Sequence, residues 1–128
     1  MYLIEVKMAR IMIADDSELV RSALRDMLES GKHQVISEAI DGVDTLEKFN
    51  SAKPDVLLLD IAMPKKDGVE TLIQIMKSNP EAKVIMVTAH YDMELIENCI
   101  KIGALAYISK PFNIDEILQS ISYAFDEK

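Results

Sequence analysis

VLLLD at residues 56–60 is a short apolar run that stops at an acid. Pro54 stands just before the run, and Pro64 and Gly68 follow it, so residues typical of turns bound the run on both sides. A continuous apolar run of this length is typical of a strand that is buried on both faces of a parallel sheet. The run therefore predicts a central strand with Asp60 at its carboxyl end.

Four other short apolar runs repeat this pattern, and each of the five is followed by an amphipathic segment of helix length. Such alternation predicts successive βα units. The predicted strands are residues 9–14, 35–38, 56–60, 83–88 and 104–109, and the predicted helices are 17–29, 42–50, the segment between Gly68 and Asn79, the segment from Met93 to Gly103, and 114–125.

Five βα units predict an α/β fold of three layers, in which a doubly wound five-stranded parallel sheet is covered by helices on both faces. Right-handed crossovers favour the strand order 2-1-3-4-5, which is that of flavodoxin-like folds. Leu19 belongs to the apolar repeat of the first helix and Val43 to that of the second. Both side chains are therefore expected to face the core.

Polar residues that suit phosphate chemistry follow four of the five predicted strands. The run that ends near Glu38 is the exception, because it carries no such group. The carboxyl ends of parallel strands lie along one edge of a sheet, so these residues are expected to meet in one crevice. They are Asp15, Asp16, Asp60, Thr88 and Lys110.

The three acids predict a metal site. Carboxylates that share one edge repel one another unless a positive charge lies between them. A hard divalent cation with oxygen ligands meets this need, and Mg²⁺ is the expected ion. For Asp15 an alternative is capping of the first helix, because Asp15 and Glu18 have the spacing of a capping box.

Asp60 is the expected nucleophile, because a carboxylate can accept a phosphoryl group once a metal and a lysine offset its charge. Lys110 supplies a positive charge and Thr88 a hydroxyl donor for the phosphoryl oxygens. Taken singly, Lys110 also fits an ordinary surface lysine before a proline, and Thr88 a β-branched residue at a strand end. Asp67-Gly68 is interpreted as a turn and a helix start.

Composition narrows the function classes. A chain of 128 residues fits one domain with one core, and its net charge of -8 argues against nucleic acid as a direct partner. No apolar run approaches the length of a membrane span, so no membrane partner and a cytoplasmic location are expected. Cys99 is the only cysteine, and its apolar helical surroundings predict a small core residue.

Short motifs in a fixed order make the chain similar to response-regulator receiver domains, whose fold is flavodoxin-like (CheY-like). The resemblance covers nearly everything from Ala9 to Phe125, and we expect a receiver domain at residues 9–126 after an N-terminal extension at 1–8. Lys66 departs from the pattern, because relatives commonly have methionine there, which affects the packing of the loop. The matching motifs are Ile13-Ala14-Asp15-Asp16-Ser17, Asp60 with Met63-Pro64 and Asp67-Gly68, Val87-Thr88-Ala89, and Tyr107 followed by Lys110-Pro111-Phe112.

The resemblance implies a role for each site residue. Asp60 is the phosphoacceptor, and Asp15, Asp16, Asp60 and the backbone carbonyl of Ala62 hold Mg²⁺, for which Mn²⁺ can substitute. Thr88 and Lys110 bind the phosphoryl group, and Thr88 and Tyr107 form the switch. The Lys110–Pro111 peptide bond is cis in many relatives.

The resemblance also implies a function. The chain is expected to be a phosphorylation-dependent switch of a two-component system, with chemotaxis as the expected pathway. Its partners would be a histidine kinase or phosphotransfer protein, and a target protein that binds the face formed by His90, the fourth helix, the fifth strand and the fifth helix. It would catalyse only the phosphorylation and dephosphorylation of its own aspartate.

Three alternatives stay open from the sequence. The chain could be a receiver cut from a longer regulator such as a transcription factor. A phosphatase with an aspartyl nucleophile is less favoured, because Ala62 stands where such enzymes place a second acid. A flavin carrier is disfavoured because Asp15 and Asp16 would repel the cofactor phosphate.

Overall fold

The computed structural model describes residues 8–126, in which five parallel strands alternate with five helices. The sheet order is β2-β1-β3-β4-β5 and every pair is parallel, so the predicted doubly wound fold is confirmed. The strands are β1 (Arg10–Ala14), β2 (Gln34–Ala39), β3 (Val56–Leu59), β4 (Val84–Thr88) and β5 (Ala106–Ser109), and the helices are α1 (Glu18–Ser30), α2 (Gly42–Ala52), α3 (Gly68–Ser78), α4 (Met93–Ile102) and α5 (Ile114–Asp126).

The sheet has an apolar cluster on each face, as a parallel sheet covered on both sides requires. Alternate residues of the same strand serve the two clusters: Leu57 packs with α2, α3 and α4, whereas Leu58 packs with α1 and α5. Cys99 of α4 is fully buried in the first cluster, which confirms the prediction that it is a core residue. Within residues 8–126, no helix combines the length and the apolar character that a membrane span needs.

The expectation that Leu19 and Val43 face the core is wrong. Leu19 is 82% exposed, because it lies about 100° around the helix from Val20, which packs on the core. Val43 is 38% exposed, because it lies in the first turn of α2 and lines an open depression with Ile40 and Lys65.

Candidate functional site

The β1–α1 loop places two of the three acids. Asp15 follows β1 directly, its backbone N–H donates to the Ala39 carbonyl at 3.0 Å, and its side chain is buried. Ser17 caps α1, because its hydroxyl accepts the Val20 N–H at 3.2 Å. The alternative of Asp15 as the helix cap is therefore wrong; Asp15 Oδ1 instead accepts the Ser17 N–H at 2.9 Å.

Asp60 lies buried at the end of β3, where its N–H donates to the Ala14 carbonyl at 3.0 Å. The loop after it folds back so tightly that a Cβ on Gly68 would lie 2.1 Å from the Asp60 carbonyl oxygen. Only glycine fits at that distance, so Gly68 supports the loop beneath the site. Asp67 Oδ1 accepts the Glu70 N–H at 2.9 Å as the N-cap of α3, which confirms the predicted turn and helix start.

Lys110, which follows β5, contacts two of the three acids. Its Nζ lies 2.7 Å from Asp15 Oδ2 and 3.2 Å from Asp60 Oδ2. Burial lowers the pKa of Lys110, but the hydrogen bond to Asp15 and the charge on Asp60 outweigh burial and leave the pKa raised. The Lys110 N–H donates to the Thr88 carbonyl at 2.8 Å, and the peptide bond to Pro111 is cis.

Asp15, Asp16 and Asp60 each offer a carboxylate oxygen, and these three atoms lie within 4.8 Å of one another. Octahedral ligands of Mg²⁺ lie about 2.9 Å apart when adjacent and about 4.2 Å apart when opposite, so the three oxygens must approach one another by up to about 2 Å to share one ion. Lys110 offsets one of the three charges, and a divalent cation offsets the other two. Burial raises the pKa of Asp15, and a cation would stabilise its charged form. The donor set therefore fits Mg²⁺.

Ala62 stands beside this cluster as an exposed loop residue. Its backbone N–H lies 3.4 Å from Asp60 Oδ1, a long hydrogen bond to the carboxylate. The role of its carbonyl as a metal ligand stays a prediction.

Thr88 and Tyr107 are linked through the β4–α4 loop. Thr88 is fully buried at the end of β4, and its hydroxyl accepts the His90 N–H at 3.3 Å. The Tyr107 hydroxyl donates to the His90 carbonyl, while its ring packs on the core cluster beneath α4. Burial is the main cause that raises the pKa of Tyr107 to about 12, so the hydroxyl stays protonated. Their predicted roles as phosphate ligand and switch remain predictions.

A model of the response regulator receiver domain matches residues 11–122. The chain belongs to this family. The chemotaxis protein CheY of Listeria monocytogenes is 37% identical over 117 residues, which cover 91% of this chain and 98% of that protein. The transcriptional regulatory protein PdtaR of Mycobacterium tuberculosis is 34% identical over 115 residues, 90% of this chain but 56% of that protein.

Solved structures of the receiver family agree with the fold. A chain of the CheX-CheY-BeF3-Mg²⁺ complex from Borrelia burgdorferi has a TM-score of 0.89 and 32% identity, covering 91% of this chain and 88% of that one. With the CheY relatives, this shows that the chain is a phosphorylation-dependent switch of two-component signalling. The match covers residues 11–122, whereas the predicted domain bounds of 9–126 stay a prediction.

Sequence reasoning missed a cluster of three charged residues that reaches the β1–α1 loop through Arg21. Arg21 and Arg25 of α1 both contact Glu38, the acid near the end of β2 to which no role was given. Arg21 also donates to the Asp15 carbonyl at 2.9 Å. The only signal in the sequence is the spacing of two arginines by four residues, which is common on exposed helix faces.

Proposed function

We propose that Asp60 is the phosphoacceptor of this switch and that a histidine kinase or a phosphotransfer protein supplies the phosphoryl group. One observation carries the proposal: the Lys110 ammonium contacts both Asp60 and Asp15 at the carboxyl end of the sheet. A lysine held there offsets the charge that otherwise keeps a phosphate away from a carboxylate.

In the proposed reaction, an Asp60 carboxylate oxygen attacks the phosphorus of a phosphohistidine. The P–N bond breaks, its electron pair returns to the imidazole, and an acyl phosphate forms on Asp60. Lys110 then holds one phosphoryl oxygen, and the Thr88 hydroxyl donates to another. The activity is confined to this aspartate, because Ala62 offers no second acid to serve other substrates.

Mg²⁺ is the proposed cofactor, and Mn²⁺ can substitute for it. Asp15, Asp16 and Asp60 would hold the ion together with the backbone carbonyl of Ala62, as their convergence within 4.8 Å supports for the three acids. The bound ion supplies positive charge next to the phosphoryl oxygens. It also relieves the repulsion among the acids, which lets the pocket accept a further anion.

The proposed output face comprises His90, α4, β5 and α5, and its partner is a target protein. Four large apolar side chains are exposed on α4, at the start of α5 and in the loop before α4, and exposed apolar surface of this kind suits a protein–protein contact. These side chains are Tyr91, Met93, Ile100 and Ile114. The cytoplasm is the proposed location, and chemotaxis is the proposed pathway because the match extends over 98% of Listeria CheY.

Labelling with a small acyl phosphate donor tests the proposal. The wild-type chain should gain one phosphoryl group by intact-mass measurement, but only with Mg²⁺ or Mn²⁺ present. Asp60→Asn should gain none, whereas Asp67→Asn, a change of the exposed capping aspartate in the same loop, should be labelled normally. Labelling of Asp60→Asn at the wild-type rate, or full labelling without a divalent cation, would contradict the assignment.

Nuclear magnetic resonance tests the output face. On phosphorylation, Thr88 is expected to move toward the phosphoryl oxygens, and amide shifts should change at Tyr107 and across residues 93–99. Changes confined to the loop after Asp60 would argue against this switch.

A further inference from the structure

Arg21 connects α1, β2 and the loop that carries the acids. Its Nη1 donates to the Asp15 backbone carbonyl at 2.9 Å, and its Nε donates to Glu38 Oε1 at 3.0 Å. The side chain is only 14% exposed. Arg25 contacts the other oxygen of Glu38 from a more exposed position, because its Nε donates to Oε2 at 2.8 Å, so the bond between Arg21 and Oε1 does not depend on it. A guanidinium forks rigidly, so one side chain fixes two acceptors at once.

The Asp15 carbonyl matters because it belongs to the peptide group that leads into Asp16. That group is planar, so the direction of the carbonyl oxygen sets the direction of the Asp16 N–H and the position of its Cα. Asp15 has a second anchor through the Ser17 N–H. Asp16 is exposed, so the aim of its carboxylate depends on the backbone that precedes it.

We infer that Arg21, oriented by Glu38, is a positioning residue that holds the Asp15–Asp16 peptide so that both carboxylates point toward Asp60. The inference rests on the proposed metal site. It gives Glu38 the role of fixing Arg21. Residues that orient metal ligands from outside typically change metal affinity by about 10- to 100-fold.

The direction of the change in Mg²⁺ affinity distinguishes a positioning role of Arg21 from an effect of its charge alone. Arg21 is a cation beside a cation site, so removal of its charge alone should tighten Mg²⁺ binding. Loss of positioning should weaken binding. Arg21→Met removes both the charge and the donors, whereas Arg21→Lys keeps the charge but lacks the fork that reaches two acceptors. Arg25→Met is the matched control, because it removes a cation one turn away that contacts Glu38 and not the loop.

The test is calorimetric titration of each folded protein with Mg²⁺ alone, without phosphodonor. Arg21→Met should bind Mg²⁺ about ten-fold more weakly, the low end of the range for outer partners. Arg21→Lys should also bind more weakly, and Arg25→Met should stay near the wild-type affinity. In the metal-free proteins, the amide resonance of Asp16 should shift in Arg21→Met and Arg21→Lys but not in Arg25→Met.

Three results would overturn the inference. The first is unchanged or tighter Mg²⁺ binding by both Arg21 variants while the wild type binds normally. The second is equal weakening by Arg25→Met, which would show a general effect of α1. The third is a wild-type chain that binds no Mg²⁺, which would overturn the proposed metal site as well. If Arg21→Met does not fold, Arg21→Lys alone decides between the outcomes.

Discussion

Lys110→Met should make the metal-free protein less stable and its stability more dependent on Mg²⁺. The change keeps an apolar stem of similar length but removes the ammonium that lies 2.7 Å from Asp15 and 3.2 Å from Asp60. Both acids are nearly fully buried, with exposed fractions of 2% and 5%. Without Lys110, two buried carboxylates face each other with no counterion.

The size of the expected stability loss follows from the distances between Lys110 and the two acids. With an effective dielectric constant of about 20, Coulomb's law gives about 6 and about 5 kcal/mol for the two contacts. The cost of burying the charges cancels most of this attraction, and breaking a buried pair by removing one partner typically costs about 3–5 kcal/mol. Lys110 is 19% exposed, so the lower end applies. We expect the free energy of unfolding to fall by about 3 kcal/mol at neutral pH.

Urea unfolding of the wild type and of Lys110→Met, with and without excess Mg²⁺, measures this change in the free energy of unfolding. Mg²⁺ replaces the Lys110 ammonium as counterion of the acids, and a ligand that binds only the folded state stabilises that state. Lys110→Met should therefore lower the free energy of unfolding less when Mg²⁺ is present. Lys48→Met is the control, because Lys48 forms an exposed ion pair with Asp44 that is worth less than about 1 kcal/mol. An equal loss with and without Mg²⁺, or no loss at all, would refute the reasoning.

Three further changes test other parts of the molecule. Ala62→Asn should speed hydrolysis of the acyl phosphate about five-fold, or about 1 kcal/mol in the barrier, because an amide can orient the attacking water; a decay rate that is unchanged or slower at fixed Mg²⁺ would show otherwise. Gly68→Ala should cost at least about 2 kcal/mol of unfolding free energy and impair labelling of Asp60, because its Cβ would meet the Asp60 carbonyl oxygen at 2.1 Å; a variant as stable as the parent in urea would contradict the close approach. Burial lowers the pKa of His33, whose Nδ1 accepts the Ala9 N–H at 3.0 Å, so protonation favours the unfolded chain. The contribution of His33 to the free energy of unfolding is fully present above its unfolded pKa of 6.5 and is lost as pH falls through its lower pKa in the folded chain. The free energy of unfolding should therefore fall less in His33→Gln than in the wild type between neutral pH and about pH 5, and an equal fall in both proteins would contradict this role of His33.

The fold was predictable because its central strands, β3 and β4, are fully buried. All four residues of β3 are buried, which leaves a continuous apolar run with no polar alternation to obscure it. The acids of the pocket were predictable for a related reason. A polar residue directly after such a run has one place to lie, the carboxyl edge of the sheet.

Other features depended on tertiary contacts that no local pattern contains. The spacing of Asp15 and Glu18 suggested Asp15 as a cap of α1, whereas the path of the loop makes Ser17 the cap. Residue 104 was predicted as the start of the last strand, but its N–H donates to the Cys99 carbonyl and completes the end of α4, so β5 begins at Ala106. The contact of Arg21 with Glu38 requires α1 to lie against β2, which is a consequence of the sheet order.

A chain of hydrogen bonds leads from the acidic pocket to the proposed output face. The Lys110 N–H donates to the Thr88 carbonyl, the Thr88 hydroxyl accepts from His90, and the Tyr107 hydroxyl donates to the His90 carbonyl. The acyl phosphate carries about −1.5 to −2 charges in place of the single charge of the Asp60 carboxylate, and its three oxygens are strong acceptors that draw the Lys110 ammonium and the Thr88 hydroxyl toward them. A target can respond only to the difference in its binding to the two states. A ten-fold change in affinity needs about 1.4 kcal/mol, which is about the net worth of one hydrogen bond. The single bond between Tyr107 and His90 is therefore sufficient in magnitude to carry a ten-fold signal, provided that phosphorylation changes it.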